Sequence, residues 1–188
     1  MGKYLKYIFL VIVSVAFEVY AMIITPILPL FAKPRFGKTN NANSEGIEPR
    51  LKEGSWFMTI DNSLWGDQGW QTEHCPNYKS YWGQVKWLWR NSAYGYKWLK
   101  LSCVVSPDTL KWEGNIHITR NHGGIFGTFR ATMGKYWQWK RITPIGKTGY
   151  CVMVNFGWLL DSYVDDPTLY LTQPRALFMF SPRIVKIK

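Results

Sequence analysis

The sequence predicts a mainly β protein, an antiparallel sandwich or open barrel, with one N-terminal transmembrane helix and one short helix. Three observations carry that prediction. The segment between Lys6 and Lys33, YIFLVIVSVAFEVYAMIITPILPLFA, holds a single charge, Glu18. Beyond Trp98 the chain alternates in period two, with aromatic and β-branched residues. Short turn sequences rich in Gly, Pro, Asn and Asp punctuate that alternation.

The apolar segment exceeds the roughly 20 residues that a helix needs to cross a hydrocarbon core of about 30 Å. A cleaved signal would use Ser14-Val15-Ala16 as its small-residue site, yet apolar sequence continues past it, where a mature chain normally turns polar. A buried core helix would show a stripe, whereas this run is apolar on every face. Anchoring is the best of the three readings. Pro26 and Pro29 end or kink the helix near Ile24 and Thr25. An ionised Glu18 inside the span costs at least about 2.5 kcal/mol, so it is neutral, turned to water, or paired in an intramembrane contact with a partner helix. Lys3 and Lys6 precede the segment and Lys33, Arg35 and Lys38 follow it, which leans by one charge toward a cytoplasmic C-terminal domain.

The expected organisation is a transmembrane anchor over 1–33, a surface linker over 34–55 and a Trp-rich, mainly β domain over 56–188. The linker, rich in Asn, Gly, Ser and charge, shows no apolar period. In the domain, YWGQVKWLW (81–89) is the candidate helix, stopping before Asn91. The candidate strands are WLKLSCVV, NIHIT, GIFGTFRATM, YWQWKRITPI, GYCVMVNFGWLL, TLYLT and ALFMFS. Asn121-His122-Gly123-Gly124 reads as a hairpin turn.

The composition includes 11 Trp, 11 Tyr and 10 Phe, enough for a core, which excludes global disorder. A net charge of +11, dispersed along the chain, suits an anionic neighbour, either lipid headgroups or nucleic acid. Cys75, Cys103 and Cys151 are odd in number and never paired as C-x-x-C, so reduced, partly buried thiols are expected.

No residue set has the spacing of a known catalytic or cofactor site, so no cofactor is expected and the leaning is away from an enzyme. Asp61, Asp67, Glu73 and His74 crowd one polar stretch that could hold Ca²⁺ or Mg²⁺ and serve a metal-dependent hydrolase. Against this, Trp65 occupies a position where a calcium loop needs an oxygen ligand, and Thr72 the twelfth position, where it needs a bidentate Glu. A zinc site at His74 and Cys75 lacks paired spacing, and a cysteine nucleophile with His117 or His122 lacks a signature. Arg90-Asn91, flanked by Trp87, Trp89 and Tyr94, could bind phosphate and stack on bases, or could hold backbone carbonyls while the rings fill a core. The structural alternative is favoured, since no basic stripe accompanies the cluster.

From Asp61 to Gly95 the chain resembles an uncharacterised family of tailed-phage proteins, small, anchored at the N-terminus and of unknown function. The residues that carry the resemblance are Asp61-Asn62-Ser63-Leu64, Gly66-Asp67, Gly69-Trp70, Trp87-Leu88, Arg90-Asn91 and Ala93-Tyr94-Gly95. Echoes follow at Gly157-Trp158 and Phe180-Ser181-Pro182. Trp65 departs from the acidic or small residue seen there, which weakens any metal loop. The resemblance implies a phage context and a host inner-membrane location, but no reaction. It makes Asp61, Asn62, Asp67, Trp70, Arg90, Asn91 and Tyr94 the candidate motif. The partners expected are the lipid bilayer and a membrane or phage protein reached through Glu18 or the β domain, with nucleic acid the less favoured alternative.

Overall fold

A computed structural model describes residues 2–38, 45–59, 63–119 and 124–187. The chain forms two compact units, one of Ile8–Lys100 and the other of Leu101–Lys188 together with Met1–Tyr7. Helix α1 (Lys3–Ile24) begins in the second and continues through the first.

In the unit Ile8–Lys100, α1 runs into a 3₁₀ segment, Thr25–Phe31, where the prolines forbid a continued α-helix. The stretch 34–55, expected to be a surface linker, holds most of a two-stranded antiparallel ribbon, β1 (Lys33–Lys38) and β2 (Glu45–Arg50). Phe36 stands opposite Ile47, and the Glu48–Arg50 ion pair at 3.6 Å is buried. These cross-strand and i, i+2 pairings hold a ribbon that local propensity disfavours. Helix α2 (Tyr81–Arg90) forms where expected and starts at an N-cap, Ser80, whose Oγ accepts the Gly83 N–H at 3.1 Å. Asn91, the C-cap, donates its Nδ2 to the Trp87 carbonyl at 3.0 Å.

The other unit is built on an open five-stranded antiparallel sheet, in the order β4-β5-β6-β7-β9. Its strands are β4 (Leu110–Gly114), β5 (Gly127–Met133), β6 (Tyr136–Pro144), β7 (Tyr150–Trp158) and β9 (Phe178–Lys186). A short pair, β3 (Cys103–Val104) with β8 (Arg175–Ala176), completes it. The alternation that predicted the strands shows in β5, where Phe129, Ala131 and Met133 are buried and Arg130 and Thr132 exposed. Tyr7 lies in this core, with its ring on Trp137, Trp158 and Phe178 and its hydroxyl donated to the Met179 carbonyl at 2.8 Å.

Three strand expectations fail locally. TLYLT forms a 3₁₀ turn at Leu169–Leu171, because Asp166 takes both the backbone N–H and the hydroxyl of Thr168 and starts a turn. WLKLSCVV is a π-helical turn at Lys97–Leu101 before it becomes the two-residue β3. NIHIT contributes only Thr119, which bridges Ile125. The turn expected between them, Asn121, His122 and Gly123, lies outside the described residues.

Candidate functional site

Pro26 brings no N–H to the Met22 carbonyl four residues earlier, and Pro29 brings none to the Pro26 carbonyl three residues earlier. Both carbonyls find donors on α2. Trp89 Nε1 donates to Met22 O at 3.0 Å, and the Tyr81 hydroxyl donates to Pro26 O. The aromatic residues of α2 thus satisfy what the prolines leave open.

The α1 face turned to this unit is small and polar. Ser14, Ala21 and Thr25 are buried there, and Thr25 Oγ1 donates back to the Ala21 carbonyl at 2.7 Å. Glu18 lies on the same face and forms an ion pair with Lys97, while Ser14 Oγ donates to its carboxylate at 3.4 Å. Phe17 stacks on Tyr96 at 4.2 Å and 24° and meets Trp56 and Phe57. Glu18 therefore has a partner within its own chain.

The opposite face of α1 is bare. Leu5, Ile8, Ile12, Val15, Val19 and Ile23 recur at intervals of three and four, so they share one side of the helix, and all are exposed. Exposure continues through Ile27, Leu30 and Phe31. The span Tyr4–Phe31 is long and apolar enough to cross a membrane, with a mean hydropathy of 2.4 over its best window.

Trp89→Phe is expected to cost about 1 kcal/mol by leaving the Met22 carbonyl without its donor. In a Pro26→Ala background, where residue 26 regains an N–H, the same change is expected to be nearly neutral. Urea midpoints of the four proteins test the cycle, and equal costs in both backgrounds would refute the pairing.

The structure brings much of the candidate motif together around one aromatic stack. Gly66, at φ +73, lies so close to Trp70 and Trp87 that a Cβ would stand 2.4 Å from Trp70 Cδ1. Asp67 Oδ1 accepts the Trp70 N–H at 2.7 Å and so fixes that turn. The Trp70 and Trp87 rings are 5.7 Å apart, and the Arg90 guanidinium lies over both, at 5.4 and 5.8 Å. Tyr94 stands apart, stacked on Trp98 at 6.4 Å and 9°. Ala93 takes the left-handed conformation, φ 59. Gly95 packs against the 55–58 backbone, donating its N–H to Met58 O at 3.1 Å. In W-L-x-R-N-x-A-Y-G, Arg, Asn, Ala and Gly thus each have a packing or capping role. Asp61 and Asn62 lie outside the described residues.

Among the described residues no group of three or more His, Cys, Asp or Glu is placed to hold a metal ion. Glu73 and His74 meet only at the surface, 3.9 Å apart. The three cysteines are free and buried. Burial pushes the Cys103 thiol up to about 11, against bonding to the Ala176 backbone.

A second polar grouping, in the sheet unit, carried no sequence signal because its members are scattered over β6, β7 and the following turn. Buried Gln138 accepts the backbone N–H groups of Leu160 and Asp161 on its Oε1, at 2.8 and 2.7 Å. Its Nε2 donates to Asn155 Oδ1 at 3.0 Å. Asp161 pairs with Lys140 at 3.1 Å. Beside them Lys140, Asp161, Ser162, Asp165 and His117 line a cleft of about 320 Å³. The hydrogen bonds of Asp161 run to Lys140 and to the Ser162 backbone N–H, which makes the carboxylate a turn-holding group.

No curated protein and no solved structure matches the chain. A family of unknown function, DUF7338, matches residues 1–187. With the match running through helix, aromatic cluster and sheet alike, the chain belongs to the family of unknown function DUF7338.

Proposed function

We propose that the protein is a non-enzymatic accessory or interaction protein of a tailed phage, held at the host inner membrane through α1. The observation that carries this reading is the exposed apolar face of α1. In water it would leave an uninterrupted hydrophobic surface along more than five helical turns. The phage setting rests on the resemblance of the Asp61–Gly95 motif, and the cytoplasmic placement of the β domain on the flanking basic residues. Buried thiols accord with a reducing compartment. The bilayer is the first partner in this reading, and a membrane or phage protein bound by the β domain is the second.

Fractionation of the N-terminally tagged chain provides the test. Full-length protein is expected in the membrane pellet after a carbonate wash. Recovery in the wash would defeat the proposal, and salt-dependent binding of DNA by that soluble protein would transfer it to the nucleic-acid alternative.

A further inference from the structure

We infer that α1 lies along one leaflet of the bilayer, with its bare stripe in the lipid and its other face still packed on the protein, and does not cross. The inference rests on the membrane reading above and adds its geometry. A lone spanning helix presents its whole circumference to lipid, and α1 cannot do so without stripping its packed side. That side holds the Glu18–Lys97 ion pair, the buried Ser14 and Thr25, and the ring stack of Phe17 on Tyr96. Glu18, an expense in hydrocarbon, is already paired where it stands.

The stripe of Leu5, Ile8, Ile12, Val15, Val19 and Ile23 contains no polar side chain, as a lipid-facing surface requires. Charge selects lipid over a second copy. The chain carries +11, and copies would repel where anionic headgroups attract. On α2, Trp82 and Lys86 are exposed one turn apart, and the helix carries no acid. An exposed indole beside a cation suits the headgroup layer.

An in-plane helix also explains the charge count. Basic residues flank the apolar segment on both sides, Lys3 and Lys6 before it and Lys33, Arg35 and Lys38 after it, within one charge of balance. A crossing helix leaves one of the two basic flanks on the disfavoured side, whereas a helix lying on the cytoplasmic leaflet keeps both on the favoured side.

Single cysteines in the full chain test the geometry, read by a membrane-impermeant maleimide on spheroplasts and on inverted membrane vesicles. The native thiols are buried and serve as the silent background. Gly2→Cys has open space around its Cβ, and Lys147→Cys sits on an exposed turn. Both are expected to label in inverted vesicles and to be silent in spheroplasts, with Ile12→Cys losing its labelling in either preparation. Labelling of Gly2→Cys and Lys147→Cys from opposite sides would overturn the in-plane helix while leaving the membrane reading intact. Disulfide cross-linking of Ile12→Cys between chains would assign the stripe to a second copy and overturn its assignment to lipid. Absence of the protein from the membrane fraction would remove both readings together.

Discussion

Gly157→Ala is expected to destabilise the sheet unit severely. Gly157 sits in β7 at φ +99, and a Cβ built there would stand 1.9 Å from the Trp137 carbonyl oxygen on the neighbouring strand. Backbone cannot swing aside as a side chain can, so either the β6–β7 ladder opens or the residue leaves its conformation. Overpacking of about 1–3 kcal/mol adds to a backbone strain of similar size, about 4 kcal/mol together. In a unit of this size that lowers the melting temperature by at least roughly 15 °C. Gly146→Ala is the informative comparison. Its φ of +52 is also left-handed, but no atom lies within 4 Å of the added carbon. It is expected to cost about 1 kcal/mol. Thermal melts followed by near-UV circular dichroism separate the two, and equal shifts would show that conformation alone, without the clash, sets the cost.

Gln138→Leu is expected to cost about 3–6 kcal/mol, although it replaces a buried polar side chain by an apolar one of similar length. Three partners lose their bonds at once: the N–H groups of Leu160 and Asp161, and Asn155 Oδ1. Each orphaned buried group costs roughly 1–3 kcal/mol. Asn155→Ala removes only one of the three bonds and is expected to cost about 1–2 kcal/mol. Hydrogen exchange at the amides of Leu160 and Asp161 reads the effect locally. Faster exchange is expected in Gln138→Leu but not in Asn155→Ala, and unchanged protection in the first would refute the capping role.

What could be read from the sequence divides along physical lines. The strands β5, β6, β7 and the first part of β9 are legible because each is a run rich in aromatic and β-branched residues between turn residues, and α2 because Asn91 can end it. Legibility fails where structure depends on a partner remote in sequence. The β1–β2 ribbon is hidden because neither strand has an apolar face, and the facing of Phe36 and Ile47 exists only once the register is set. The edge strand β4 is missed because four of its five residues are exposed, which removes the contrast that marks a strand. TLYLT misleads in the opposite direction, since a short apolar run reads equally as strand or turn. For the site, the motif around Arg90 announces itself by rare residues but not by role. Asp67 and Asn91 are local caps, yet the stack of Arg90 on Trp70 joins positions twenty residues apart. Lys97 as the partner of Glu18 could not be found by spacing at all.

The two carbonyls exposed by the prolines set an order of events during synthesis. Met22 and Pro26 precede their donors, Trp89 and Tyr81, by 67 and 55 residues. Until α2 has been made and folded, those oxygens lack these donors, and the C-terminal end of the apolar segment is left without the contacts that fix it. The completion of α2 gives the aromatic helix a role as the latch that closes after the chain has been made.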